Sequence, residues 1–430
     1  MKNKNVSITL ITSLLFFYFA GQSQQGLQPG SNTPQSTAVA KRLSKIDGLM
    51  QQYIDSGWIA GGTIIAAKEG QIIYHKAFGY SDLSSKTPMK TNNIFRIASQ
   101  TKAITSVATM ILFEEGKFLL DDPISKYIPA FRKPVVLDKF NPQDSGYTTV
   151  PAKSEITIRQ LLTHTSGIGY PQIGSREANA IYAKADITAG IGVQPGRLLS
   201  TDMLKLAKLP LMHQPGERFT YGLGVDLLGY FVEVISGQPL DQFFRERIFT
   251  PLGMADTWFY LPAEKQSRLV TLIAEDSTGY VMDAPEKVRN GAWISNYPNS
   301  KGTYFSGGAG LSCTALDYAI FMEMIRRGGT YNGKRIVSRN SVDMMTQNQI
   351  GSLSLGANGK FGLGFEICTE TGSGQLGLST GTFSWGGAFS SKYWIDPVEK
   401  IVGQIFLNQS PNTHSEIHDK IKVILYSALD

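Results

Sequence analysis

Cysteine is almost absent: Cys313 and Cys368 are the only two in 430 residues. That excludes a disulfide scaffold. Neither has a histidine or a second cysteine beside it, which excludes a thiolate metal site. Both sit among apolar or small residues, the setting of a buried free thiol. Histidine is scarce too. His75, His164, His213, His414 and His418 form no metal-ligand spacing and read as structural or surface residues, so neither a metal nor a cofactor is expected. Charged residues are 18% of the chain, too few for a disordered chain or a coiled coil. The net charge of +6 comes without a run of lysine or arginine, so nucleic acid is not an expected partner. There is no internal repeat.

Long apolar runs are also lacking, apart from ITLITSLLFFYFA at 8–20. It is short of the roughly 20 residues that span a bilayer. Lys2 and Lys4 precede it, and Gly21-Gln22-Ser23-Gln24 follow. This is the pattern of a secretory signal peptide, expected over 1–23. No cysteine near the cleavage point offers a lipid anchor. The mature chain is therefore expected to be secreted or periplasmic, without stable membrane insertion, behind a flexible leader at 24–36.

What is present is enough apolar content, 42%, for a sizeable core. An apolar stripe at Val39, Leu43, Ile46, Met50 and Ile54 predicts a helix. GGTIIAA (61–67) and QIIYHKAF (71–78) predict a hairpin around Glu69-Gly70. Residues 103–113 predict a helix apolar on most faces, hence buried, ending at Gly116. The chain from 121 to 296 reads as helix and loop, with helices at 157–163 and 225–235. Beyond it a helix at 315–326 leads to strands at 362–368, 392–395 and 402–407 and a last helix at 416–427. The expected architecture is α+β. An antiparallel sheet flanked by helices is built from 37–120 and 297–430, and 121–296 forms a helical lobe. A ligand cleft is expected between the lobes.

Two serines compete for the chemistry. Gly377-Leu378-Ser379-Thr380-Gly381 matches the G-x-S-x-G nucleophile turn of α/β-hydrolases, with Asp396 and then His414 or His418 following in chain order. That turn must run from a strand into a helix. TGTFSWGGAF, which follows Ser379, is a poor helix former. The other candidate is Ser99-Gln100-Thr101-Lys102. Residues three apart share a helix face, which sets Lys102 beside Ser99 at the mouth of the apolar helix. An ammonium there is costly unless paired or neutral. One reading makes Ser99 an N-cap and lets Lys102 snorkel to solvent. The other makes Ser99 a nucleophile with Lys102 helping to remove its proton.

Longer motifs surround this pair. IFRIASQTKAITSVATMILFEEGKFLLDDPISKYIP (94–129), ITIRQLLTHTSGI (156–168), QPGERFTYGLGVDLLGYFVEVISGQPL (214–240), GGAGLSCTALDYAIFMEMIRRGG (307–329) and SWGGAFSSKYWIDP (384–397) occur in that order. Together they resemble the serine beta-lactamase/penicillin-binding-protein superfamily, class C-like branch, from about 40 to 426. The resemblance implies that fold. It implies Ser99 as nucleophile, Lys102 as its lysine, Tyr221 as general base, and an oxyanion hole from the backbone N–H groups of Ser99 and Ala388.

Two positions depart from the lactamase pattern. Tyr221-Gly222-Leu223 stands for Y-x-N, and Trp385-Gly386-Gly387 stands for K-T-G or H-x-G. Both departures remove polar recognition, and the combination resembles family VIII carboxylesterases. Trp385, Gly386, Gly387 and Leu223 are expected to meet the substrate, with Lys392 a solvated strand lysine. The expected activity is hydrolysis of a small ester or amide, an ester first, through an acyl-enzyme. The alternatives are a class C-like beta-lactamase or DD-peptidase/D-aminopeptidase, and a catalytically inactive binding protein of the same fold. Residues 169–208 are expected in the cleft wall. The oligomeric state stays open.

Overall fold

The computed structural model describes residues 26–30, 34–284, 297–356 and 359–429. The expected signal peptide lies outside them. Within the expected leader, Gln28–Pro29 pairs in parallel with Gln71 and Ile72 at one sheet edge.

Alternation of small, β-branched and aromatic residues builds the sheet. Gly61–Lys68 (β1) and Gln71–Asp82 (β2) form the hairpin, with Glu69 and Gly70 at positive φ in its turn. From the far end of the chain come Gly359–Phe361 (β3), Glu366–Cys368 (β4), Phe383–Gly387 (β5), Ser391–Asp396 (β6) and Ile401–Phe406 (β7). The order is β2-β1-β7-β6-β5-β4-β3, antiparallel between neighbours. The central pairing joins the two ends of the chain, Ile64 to Ile405 and Ile65 to Gln404.

Five helices matter for the site: Lys45–Asp55 (α1), Thr101–Glu114 (α2), Gly224–Ser236 (α3), Ala315–Arg326 (α4) and Ile417–Ser427 (α5). Successive strand residues point to opposite faces, so the sheet has two cores. Ile64, Ala66, Trp394, Ile401 and Ile405 pack on α1 and α5. Ile65, Ala67, Tyr393, Ile395, Val402 and Phe406 share the larger core with α2, α3 and α4. Helix α2 is buried from Thr101 to Leu112, as its near-continuous apolar sequence requires. Its chain leaves through Gly116 at φ +68°.

Three elements differ from expectation. The 39–54 stripe is two helices, Pro34–Leu43 and α1, separated at Ser44, whose hydroxyl bonds back to the Lys41 carbonyl at 2.7 Å. The 362–368 strand starts only at Glu366. Gly364 (φ +98°) passes so close to α2 that a Cβ would lie 2.2 Å from Ser106 Oγ. The region 121–296 is not purely helical. It carries the hairpins Val135–Asn141/Gly146–Pro151 and Ile273–Glu275/Val281–Asp283. The first is β-branched and aromatic around an Asp-Ser-Gly turn, which is the local signature of a hairpin. Cys313 and Cys368 are unpaired thiols.

Candidate active site

From Asn93 to Leu112 every residue is buried except Ser99. A 3₁₀ turn, Ala98–Gln100, does this. Ala98 takes φ +44°, a left-handed conformation that costs an ordinary residue on the order of 1 kcal/mol or more. The surroundings hold it. Ile97 N–H donates to the Leu311 carbonyl at 3.0 Å, and Tyr318 Oη donates to the Gln100 carbonyl at 3.0 Å. The turn aims Ser99 out of an otherwise closed core, so it is not a simple N-cap of α2.

Lys102, one turn on, does not snorkel. It is 2% exposed. Its Nζ donates to the Gly308 carbonyl at 2.8 Å and to Ser99 Oγ at 3.3 Å. Tyr221 arrives from the segment ahead of α3, and its Oη donates to Ser99 Oγ at 2.6 Å. The ammonium lies 4.7 Å from the centre of the Tyr221 ring, within cation–π range. The segment carrying Tyr221 is pinned to the loop after Ile158–Leu162. Thr220 N–H donates to the His164 carbonyl at 2.7 Å, Gly222 N–H to His164 Nδ1 at 3.4 Å, and Leu223 N–H to the Gly169 carbonyl at 3.0 Å. Only glycine fits at 222, where a Cβ would sit 1.9 Å from the Ile168 oxygen.

Strand β5 closes the third side. Trp385 stands on the front face of the sheet, its ring 5.5 Å from that of Tyr221. Gly387 presses on the Ser99 turn: a Cβ would lie 2.3 Å from the Ile97 carbonyl oxygen. Gly386 is less confined, with a Cβ 3.1 Å from the Ser391 oxygen. Ala388 follows directly, exposed in the turn after the strand. Leu223 is a correction. It is 0% exposed and belongs to the core, because it stands at the cap of α3 with its backbone tied inward. It has no surface to offer a substrate. Lys392 pairs with Gly386 and has the parity of Trp394, so it faces the α5 side, where it acts on Lys422 and His418.

The beta-lactamase family profile matches residues 46–428. The chain belongs to the beta-lactamase family. It is 30% identical to the lovastatin esterase of Penicillium rubens, over 83% of this chain and 91% of that protein. It is 29% identical to esterase EstB of Burkholderia gladioli, over 84% and 89%. The solved structure of EstCE1, described as a hydrolase with promiscuous acyltransferase activity, superposes with a TM-score of 0.78 at 28% identity, covering 92% of this chain and all of that one.

Several groups that complete this beta-lactamase-family site are not legible as site residues in the sequence. Tyr170 stacks on Tyr221, ring centres 5.6 Å apart and 3° from parallel. Burial, with Tyr221 and Asp226 nearby, pushes its phenol well up, so it stays protonated and donates to the Ala189 carbonyl at 3.2 Å. Residues 169–208 thus enter the site through Tyr170. His164 is buried 4.8 Å from the Tyr221 ring. Burial and then the Lys102 charge hold it well below the usual imidazole range, which leaves it neutral. Phe361 meets Trp385 edge to face at 5.4 Å. Asp226, an acid in the first turn of the largely apolar α3, is 0% exposed. It accepts from Ser306 Oγ at 2.5 Å and from Gly308 N–H at 3.2 Å. The available signals were an acid in an apolar stripe and the Gly307-Gly308 pair, neither specific by itself.

Ser379 is elsewhere. It follows a short helix, Glu370–Leu376, and precedes β5, the reverse of a nucleophile elbow. It binds Asp396, and with Val423 and Tyr426 it lines a separate surface cavity.

Proposed function

We propose that this chain is an exported carboxylesterase that cleaves small or short-chain esters through an acyl-enzyme on Ser99. One observation carries the reading. A partly open serine hydroxyl is bonded by both a phenol and a buried ammonium, beside the half-buried rings of Tyr221 and Trp385, which are backed by buried Tyr170 and Phe361.

Tyr221 is the general base. In its ionised form the Ser99 O–H donates to it, and the Lys102 cation stabilises the phenolate. Ser99 Oγ attacks the ester carbonyl as its proton passes to Tyr221. The backbone N–H groups of Ser99 and Ala388 hold the oxyanion. When the C–O bond breaks, Tyr221 returns the proton to the departing alcohol. Water then repeats the sequence and frees the acid.

Esters are favoured over beta-lactams or D-alanyl peptides for a reason of charge. Those substrates carry a carboxylate. The cation against these rings is Lys102, already engaged with Ser99 and Gly308, and Lys392 faces the other side of the sheet. Two relatives named as esterases support the same choice.

The test is mass spectrometry after trapping with a slowly deacylating ester, beside turnover of p-nitrophenyl butyrate and a chromogenic cephalosporin. A label on Ser99 and dominant butyrate turnover are expected. A label on another residue would remove the mechanism. Dominant cephalosporin turnover would give the site to beta-lactams.

A further inference from the structure

Lys102 is almost fully buried, and its strongest bond is to a neutral carbonyl, Gly308 O at 2.8 Å. A cation in such a place needs a counter-charge. The carboxylate beside it is Asp226 on α3. Asp226 Oδ1 accepts from Ser306 Oγ and Gly308 N–H. Its Oδ2 has no hydrogen-bond partner among the described residues. Asp226 and Lys102 therefore grip Gly308 from its two sides, one at the N–H and one at the C=O. The fit is close enough to demand glycine, since a Cβ at Gly308 would lie 2.1 Å from Asp226 Oδ2. Gly190 presses on the same group: a Cβ there would lie 2.2 Å from Ser306 Oγ and 3.1 Å from Asp226 Oδ1.

We infer that Asp226 is a positioning residue for the reaction: through the Ser306–Gly308 loop it fixes where Lys102 sits, as the buried counter-charge beside that ammonium. The inference rests on the Ser99–Lys102–Tyr221 reading above. The titratable and charged groups around Asp226 are Lys102 from α2, Tyr170 from the preceding loop, Asp202 from the helix Leu199–Leu206, and Tyr304 from the Gly308 loop. Tyr221 and neutral His164 face Lys102. Burial raises the Asp226 carboxyl, while Lys102, Ser306 and Gly308 oppose that rise.

The sign of the effect follows from the charge. Removing a negative charge makes every neighbouring proton easier to lose. The field at the Ser99–Tyr221 pair therefore becomes more positive. Asp226→Asn keeps an acceptor for Ser306 and Gly308 and deletes only the charge. With p-nitrophenyl butyrate its kcat is expected to fall about ten-fold or more with KM within about two-fold, and both limbs of the kcat/KM profile to move to lower pH by roughly half a unit or more. A folded Asp226→Asn protein with the parental kcat and a superimposable profile would overturn the inference. If Asp226→Asn does not fold, Ser306→Ala decides. It removes a bond that favours the charged carboxylate, so a smaller displacement in the same direction supports the inference and an unmoved profile overturns it. Fluorophosphonate labelling of the parent is run alongside. Failure to label Ser99 sinks the acyl-enzyme reading itself, whereas Ser99 labelling with unmoved variant profiles sinks only the role of Asp226.

Discussion

The Tyr221 hydroxyl lies 2.6 Å from that of Ser99, although 122 positions separate the two residues in the chain. One comes from a strained turn ahead of α2 and the other from a segment pinned to the His164 loop. Neither element alone makes a reactive group. Their meeting depends on the packing that seats α2 and α3 in one core.

Removing the phenolic oxygen tests that contact first. Tyr221→Phe keeps the ring that stacks on Tyr170 and packs on Trp385. It is expected to lower kcat by roughly 10²–10⁴-fold, the usual worth of a positioned acid–base, with little change in melting temperature. Steady-state kinetics with p-nitrophenyl butyrate and a thermal melt check both halves.

The two glycines of β5 separate position from chemistry. Gly387→Ala forces a methyl group onto the Ile97 carbonyl and pushes the strand away from the Ser99 turn. About a 10²-fold loss of kcat/KM is expected, the scale of a displacement near 1 Å. Gly386→Ala meets only a tight contact with the Ser391 oxygen and is expected to stay within about three-fold of the parent. Equal losses in the two variants would contradict the packing described.

Restoring the lactamase asparagine should not restore lactamase chemistry. Leu223→Asn places an amide in the core rather than in the cleft. It is expected to cost about 3 kcal/mol of stability through lost packing and an unsatisfied polar group. Denaturant melts measure the loss, and a cephalosporin assay should show no gain in turnover.

His164 gives the pH dependence of stability. Its folded pKa lies well below the usual value of 6.5, so below that pH the unfolded chain binds a proton the folded chain does not. Stability is full above about 6.5 and is lost as pH falls from there toward the folded value, by up to about 1.4 kcal/mol per pH unit. His213 and His418 are lowered too, by burial first, and act in the same direction. His164→Asn suits the left-handed backbone at that position, φ +55°. It is expected to flatten the loss between about pH 6.5 and 4.5, read as melting temperature against pH.

Ser379→Ala is the control. Ser379 supports Asp396, which also accepts from Val398 N–H, Glu399 N–H and Tyr426 Oη. About 1 kcal/mol of stability or less is at stake, and kcat/KM should hold within about two-fold. Loss of acylation in a folded Ser379→Ala protein would overturn the assignment of Ser99.

Much of the fold was written locally. The hairpin at Glu69-Gly70, the buried α2 and the stop at Gly116 follow from alternation, apolar periodicity and glycine, all short-range signals. Ser99 and Lys102 share one turn of chain, so their adjacency was readable too. The strand expected from 362 failed at Gly364, where a contact with Ser106, far away in sequence, overrode the local pattern. Leu223 failed for a related reason. Its place in a motif suggested the cleft, but side-chain direction depends on how the cap of α3 meets the rest of the core.

By itself the sequence determined the pieces: which stretches become strands and helices, and which short motifs hold a serine, a lysine and a tyrosine. Only the tertiary structure decided what they touch. It brought Tyr221 to Ser99, set Asp226 and Lys102 on either side of Gly308, turned Lys392 to the far face, and left Ser379 outside the site. The physical reason is range. Propensity and periodicity act within a few residues, whereas hydrogen bonds, ring contacts and buried charges act over a few ångströms between segments that the chain brings together only when the core closes.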